Sequence, residues 1–331
     1  MKQIVYVSSA NSQQIEVWEL NSNSSLNLIQ ILKIDGEPQP ILIASKQKIL
    51  YVGVRPKFRI HSYQIETNGT LTEIGYSIMS CSINHLEIDK TEKYLFSSSY
   101  HFNCINVFPI NSLGIAQPSI QTIHGIKGCH ASLMHYNNQT LFVSSLKSDK
   151  IYLYNFTKEG VLLESNKKFI SIQNNSGPRH MIFQKSVDRL FNINELNGTL
   201  NIWNINQLCN KIIFLKNIDI TPHKFDQPSW SSDLHISPCE KYLYASNRSC
   251  NNIVVLKNDQ NINNIKVIRF IKTELQPRAF NIDKKGQNLI VAGEISNSIS
   301  IYSLNNITGL LTFKNRYPTG NRPVWISIFQ I

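Results

Sequence analysis

Charged residues make up only 17% of the 331-residue chain, and it has six cysteines. No apolar run approaches the roughly 18 residues that a membrane-crossing helix requires. The opening MKQIVYVSSA has one lysine and a short apolar run ahead of polar serines. It lacks the longer apolar stretch of a secretory signal, so a cytoplasmic protein is expected. The cysteines, at 81, 104, 129, 209, 239 and 250, are scattered and contain no C-x-x-C pair. That excludes a disulfide framework or a paired-thiolate zinc site and reads as reduced thiols. There is no G-x-S-x-G elbow, Walker loop or H-E-x-x-H. Serine-hydrolase, nucleotide-hydrolase and zincin readings therefore lose support. The longest Lys/Arg runs are pairs, so no basic block marks a nucleic-acid binder.

Hydrophobic residues reach 42%, enough to bury a sizeable core. There are 46 Ile and 37 Asn, and 33 Lys+Arg stand against 22 Asp+Glu for a net charge of +11. Ile, Asn and Lys all have A/T-rich codons. Genome bias therefore accounts for much of this, and the net charge is weak evidence for an anionic partner. Length alone would suggest two domains at about 150 residues each.

An internal repeat replaces that expectation. LYVGVRPKFRIHSYQI from Leu50, LFSSSYHFNCINVFPI from Leu95 and LFVSSLKSDKIYLYNF from Leu141 share one pattern. LFNINELNGTLNIWNI from Leu190, LYASNRSCNNIVVLKN from Leu243 and LIVAGEISNSISIYSL from Leu289 continue it, and VYVSSANSQQIEVWEL from Val5 is a seventh copy. The spacing averages about 47 residues, close to the period of four-stranded propeller blades. A short apolar strand precedes each anchor after the first, as in HMIFQ at 180–184, LHISP at 234–238 and FNID at 280–283. A further strand follows the alternating one, as in IIFLKN at 212–217. Residues 323–329 read as an inner strand with no anchor after it. The chain start, from Met1, reads as an anchor strand with no inner strand before it. Together they complete one blade and remove two exposed sheet edges. The expected fold is all-β: a seven-bladed propeller of four-stranded antiparallel blades, forming a single domain over residues 1–331.

The repeat register places two loop families on one rim. The first position of each inner strand holds Pro40, His85, His130, His180, Asp233, Ala279 and Trp325, and the residue before it Gln39, Asn84, Cys129, Arg179, Ser232, Arg278 and Val324. The loop after each anchor holds Ala10, Arg55, Tyr100, Leu146, Glu195, Arg248 and Glu294. Equivalent positions in a scaffold would repeat the same turn residues. Here they diversify into titratable types, which suggests chemistry or anion binding at one concave mouth. Arginines suit a phosphate or carboxylate because guanidinium binds oxyanions bidentately. Glu195 and His130 are of types that activate water or carry a proton.

These same stretches carry a family resemblance. Tyr51-Val-Gly-Val-Arg-Pro-Lys-Phe-Arg59, Gly128-Cys-His130, Gly177-Pro-Arg-His-Met181, Asn194-Glu-Leu196, Asp233-Leu-His235 and Gln276-Pro-Arg278 resemble the bacterial propeller-type 6-phosphogluconolactonases, in the family that includes carboxy-muconate lactonising enzyme. The resemblance covers essentially the whole length. It implies a seven-bladed fold and hydrolysis of 6-phospho-D-glucono-1,5-lactone in the oxidative pentose phosphate pathway, part of glucose metabolism. By the same resemblance His130, Arg179 and Glu195 are the catalytic set. Combined with the rim reading, Arg55, Arg59, His180, Arg248 and Arg278 are expected to bind substrate or its phosphate. No metal or cofactor is expected. The expected partner is a small phosphorylated sugar lactone, without nucleic acid or membrane, and a closed ring has no need of a second copy. Other readings are a muconate-type lactonising enzyme and a non-catalytic propeller scaffold, although the recurring G-H…W-D signature is absent. A metal-dependent lactonase using Glu195, Asn247 and Asp233 is a further one.

Overall fold

The computed structural model describes residues 2–223 and 225–331; Met1, assigned above to the first anchor strand, lies outside the described residues. Seven four-stranded antiparallel sheets follow one another around a ring. The first blade joins the two chain ends: β28 (Pro323–Gln330) is innermost, followed by β1 (Gln3–Ser9), β2 (Gln14–Leu20) and β3 (Leu26–Lys33). β28 pairs with β1 from Gln3 opposite Gln330 to Ser8 opposite Trp325. The other blades run in chain order over residues 37–78, 85–124, 129–171, 178–219, 231–272 and 277–318. The repeat register and shared closing blade read from the sequence are both present. Among the described residues no helix is long and apolar enough to cross a membrane.

Each blade is sandwiched between two others, so its central strands bury both faces. In β1, Ile4 and Tyr6 pack toward the second blade against Leu50, Val52 and Val54. Val5 and Val7 pack the opposite way, against Ile290 and Ala292 of the seventh. The same alternation places Tyr244 against the seventh blade and Leu243 and Ala245 against the fifth. This is why the anchor strands open on consecutive apolar residues, such as Leu141-Phe142-Val143, rather than on an alternating pattern. The outermost strands have solvent on one side and carry much of the basic charge, including Lys168, Lys266, Lys272 and Lys314.

Tyrosines one position after three anchors tie neighbouring blades together. Tyr6, Tyr51 and Tyr244 donate hydroxyl hydrogen bonds of 2.9, 2.8 and 2.8 Å to the carbonyls of Gly69, Gly114 and Gly309 in the next blade's turn. Gly309 has φ +73°, and a Cβ there would overlap the ring of Tyr242.

The inner strands are β4 (Glu37–Ala44), β8 (His85–Ile88), β12 (Cys129–Met134), β16 (Pro178–Gln184), β20 (Ser231–Ile236), β24 (Pro277–Ile282) and β28. β16, β20 and β24 begin two or three residues before the apolar segments that reveal them in sequence. The added residues, Arg179, Ser232, Asp233 and Arg278 among them, lie in or beside β-bulges, which break the period-2 pattern.

Gly309→Ala tests the interblade contact. It should lower the unfolding midpoint more than Gly125→Ala, whose φ is +89° but whose Cβ would meet nothing within 4 Å. Left-handed strain accounts for about 1–2 kcal/mol in each, and overpacking against Tyr242 should add about 1–3 kcal/mol at Gly309 only. Equal midpoints in thermal melts would show that the turn is not wedged beneath its neighbour.

Candidate active site

The rim residues owe their direction to a repeated backbone irregularity. In β4 the register shifts between Pro38 and Ile41, in β12 between Cys129 and Ser132, and in β16 between Pro178 and Met181. It shifts again between Ser231 and Leu234 in β20, between Pro277 and Ala279 in β24, and at Pro323–Trp325 in β28. A bulge inserts an unpaired residue and re-aims its side chain. The residues inside these bulges include Gln39, His130, Arg179, His180, Asp233 and Arg278, so the sequence-derived rim positions coincide with the bulges. β8 has no such shift and starts directly at His85. Anchor-strand serines fasten the bulges. Ser144 Oγ accepts from Ala131 N at 3.0 Å and donates to the Arg179 carbonyl at 2.7 Å, and Ser8 Oγ donates to the Gln39 carbonyl at 2.8 Å.

One group of side chains is built on Glu195. Its Oε2 lies 2.9 Å from Arg179 Nε and accepts a 2.8 Å hydrogen bond from Arg248 Nη2. The Arg179 N–H does not point along its contact with Glu195, so that approach is an ion pair without a hydrogen bond. Arg179 Nη1 donates to the Ser232 carbonyl. Arg248 Nε donates to the Trp230 carbonyl at 3.3 Å, and its guanidinium carbon lies 3.9 Å from the centre of the Trp230 ring. Arg179 is 1% exposed and Arg248 3%. Burial lowers both guanidinium pKa values, that of Arg179 to about 10, and Glu195 opposes the shift in each. The backbone holds the carboxylate between them: Glu195 N donates to Gly177 O at 2.7 Å, and Ser231 N donates to Glu195 O at 3.1 Å.

A second group lines the head of the central channel. His180 Nδ1 lies 2.7 Å from Asp233 Oδ1, and His235 Nε2 lies 3.2 Å from Asp233 Oδ2. Asp233 also accepts from the backbone N–H groups of Leu234 and Phe280. The His180 ring packs 5.4 Å from His130, 5.5 Å from His85 and 5.8 Å from Trp325, centre to centre. Burial is the main cause lowering all three imidazoles: His85 to about 3, His180 to about 4, and His130 well below its usual value. All three are neutral at pH 7. Among the described residues, His130 Nδ1 and His180 Nε2 are buried without a hydrogen-bond partner. A cavity of about 200 Å³ runs beneath them, lined by His85, Glu87, Asp233, His235 and Trp325. A larger one of about 650 Å³ lies at the far end of the third and fourth blades, near Asn137 and Lys158, and contains none of the expected site residues.

A third group continues around the rim from the first, on the seventh, first and second blades. Arg322 Nε donates to Glu294 Oε1 at 3.0 Å, and Arg278 Nη1 lies 3.8 Å from Glu294 Oε2. Arg55 Nη2 donates to Gln39 Oε1. Arg278 is the electrostatic bridge, because its charge is felt by Arg55, His130, Arg179 and Arg248.

The structure therefore gathers His130, Arg179, His180, Glu195, Arg248, Arg278 and Arg55 at one mouth. Arg59 stands apart from them. It lies 3.6 Å from Asp35 Oδ2 and 4.7 Å over the Tyr76 ring, on the outer half of its blade. The cause is its place on the third strand from the axis, where it pairs across to the outermost strand at Ile78. The three residues of the metal-dependent reading are engaged elsewhere: Glu195 by guanidiniums, Asp233 by histidines, and Asn247 by Ser229 and by backbone N–H groups. Among the described residues no group of three or more His, Cys, Asp or Glu is placed to hold a metal ion. Sequence reasoning missed His235 and Arg322 as site members. His235 lies two residues beyond the rim position, and Arg322 lies in the connection ahead of β28, outside the repeat register.

The known proteins that the chain resembles agree with this fold. A family model described as "Lactonase, 7-bladed beta-propeller" matches residues 4–328. The 6-phosphogluconolactonase of Buchnera aphidicola subsp. Baizongia pistaciae is 54% identical over 331 residues, covering 100% of both chains. That of Erwinia tasmaniensis is 36% identical over 331 residues, again covering 100% of both. Among solved structures, the periplasmic gluconolactonase of Pseudomonas aeruginosa superposes with a TM-score of 0.92 at 20% identity, over 100% of this chain and 99% of that one. A putative 6-phosphogluconolactonase from Bacteroides fragilis gives 0.91 at 22% identity, over 99% and 98%. At such low identity these two structures speak to the fold alone. By its family-model match and its full-length relatives, the chain belongs to the lactonase family of seven-bladed β-propellers.

Proposed function

We propose that the chain hydrolyses 6-phospho-D-glucono-1,5-lactone to 6-phospho-D-gluconate at the mouth described above. The substrate class is supported by full-length relatives of that name at up to 54% identity. The observation that carries the chemistry is the Glu195 carboxylate held by two buried guanidiniums on the side of the mouth where the neutral histidines lie. Water adds to the planar C1 carbonyl. Glu195 takes the proton from that water through Oε1, since Oε2 is engaged by Arg179 and Arg248. A ring nitrogen of His130 orients the same water. Arg179 faces the oxyanion that develops at C1, and its near-complete burial strengthens that attraction. Collapse of the tetrahedral intermediate breaks the C1–O5 bond, and the proton passes to O5. One water is consumed and no electrons are transferred, and each step is assigned to a side chain of this mouth. The ring acts as one cytoplasmic domain and a monomer, since closure leaves no unpaired inner edge for a partner to complete.

Purified protein should hydrolyse the phosphorylated lactone at the same rate with and without a chelator. Complete inactivity would sink the enzyme reading, and loss on chelation only its metal-free form. Glu195→Gln should lower kcat by at least about 100-fold, the scale of general-base catalysis. Near-full turnover would remove Glu195 from the role of base. The histidines give an independent check. Their depressed pKa values mean that protonation sets in only well below the 6.5 of a free imidazole. NMR signals of His85 and His180 should therefore stay constant from pH 8 to about pH 5 and shift only at lower pH. Titration midpoints near 6.5 would show that they are solvated and charged in acid, contrary to their packing.

A further inference from the structure

The arginines at the mouth divide by what their nitrogens do. Arg179 and Arg248 are locked: their forks are turned onto Glu195 and onto the carbonyls of Trp230, Ser231 and Ser232. Arg55, Arg278 and Arg322 keep donors free. Among the described residues Arg278 makes no side-chain hydrogen bond, its nearest anion being Glu294 at 3.8 Å. Arg322 uses only Nε, which leaves both terminal nitrogens. Arg55 Nε is buried without a partner.

The carrier of Arg322 is fixed rather than loose. Its backbone N–H donates to Asn297 Oδ1 at 2.8 Å, and its carbonyl accepts from Ala10 at 2.9 Å. The preceding residues are held by Gly320 N to Glu16 Oε1 at 2.6 Å and by Asn321 N to Ser12 Oγ at 2.7 Å. Arg322 itself has φ +59°, a backbone conformation that costs energy for a side chain with a Cβ and persists only where its surroundings enforce it. With Glu37 and Glu294 counted, the three guanidiniums leave an excess of one positive charge.

We infer that Arg55, Arg278 and Arg322 form a phosphate-binding pole beside the Glu195 pole, with Arg322 a specificity-determining residue and Arg248 a partner of Glu195 instead of the phosphate. The inference rests on the lactonase reading above. In that substrate C1 and C5 flank the ring oxygen O5, and C5 carries the phosphorylated C6, so a productive complex needs an anion site next to the group that handles the carbonyl. The Glu195 group stands on the fifth and sixth blades and the arginine trio on the seventh, first and second, with Arg278 on the blade next to that of Arg248 and its charge felt there. Glu294 acts as the internal counter-ion that offsets the repulsion between Arg278 and Arg322 and holds them in place before phosphate arrives. Free guanidinium forks then supply bidentate donors to its oxygens.

The test compares two substrates, the phosphorylated lactone and glucono-1,5-lactone. Arg322→Gln should lower kcat/KM on the phosphorylated lactone by about 10- to 100-fold, the scale of charged hydrogen bonds, and mainly through KM. On glucono-1,5-lactone the change should stay below about 3-fold. Arg278→Gln should show the same selectivity and serves if Arg322→Gln does not fold. Arg248→Gln should impair both substrates alike. Equal losses on both lactones for Arg322→Gln and Arg278→Gln, or no loss on the phosphorylated one, would overturn the pole. If the wild type hydrolyses neither lactone, the proposed activity fails. Calorimetry with inorganic phosphate then decides the pole separately: binding weakened at least about 10-fold in Arg322→Gln supports it, and unchanged binding rejects it.

Discussion

The pairing of β28 with β1 is the contact on which the other features depend. Without it the first blade would lack its inner strand and the ring would end in two open edges. Once it forms, every blade has two neighbours, and each central strand can bury both faces. Those two-sided cores are rigid enough to hold bulged, polar inner strands at the axis. The same pairing brings Arg322 and Trp325, from the end of the chain, to the rim beside residues from near its start. A site assembled from inner strands and rim loops of all seven blades exists only when the ring is shut.

The mouth concentrates buried charge, which is costly unless each charge is compensated. Glu195 between Arg179 and Arg248 meets that requirement, as does Asp233 between two histidines and two backbone N–H groups. These pairs lock side chains in one geometry, which is what preorganised stabilisation of an oxyanion needs. Packing of His85, His130 and His180 against one another and against Trp325 keeps the imidazoles neutral, because a charge on any one would be poorly solvated there. The arginine trio around Glu294 is more open: Arg322 has 38% of its side chain exposed and Arg278 19%, against 2–3% for the Glu195 pair. A buried, locked pole and an accessible pole thus share one cavity mouth.

Much of this was legible before any coordinates. Seven repeats of about 47 residues, complementary chain ends and diversified rim positions were enough to place His130, Arg179, Glu195 and Arg278 in one ring of loops. That reading works because blade geometry repeats, so equal offsets from the anchors map to equal heights on the rim. It fails where an offset does not report distance from the axis. Arg59 lies close to Arg55 in sequence, but it is on the third strand of its blade and turns toward Tyr76. It also fails outside the repeat register, as at Arg322. Cysteines 81 and 104 look scattered in sequence, yet the blade brings their sulfurs to 3.8 Å.

The sequence by itself determined the fold class, the closure and the types of side chain at the mouth, because periodic burial and turn chemistry are local properties of the chain. Tertiary structure decided which of those side chains face one another. It set Glu195 between two arginines, Asp233 between two histidines and Glu294 between Arg278 and Arg322. The physical reason is that these contacts join separate loops, within one blade for Arg179–Glu195 and Arg278–Glu294 and between neighbouring blades for Glu195–Arg248, His180–Asp233 and Glu294–Arg322, at separations of about 16 to 53 residues, and depend on bulge direction and ring curvature. Neither is encoded in the spacing of apolar residues.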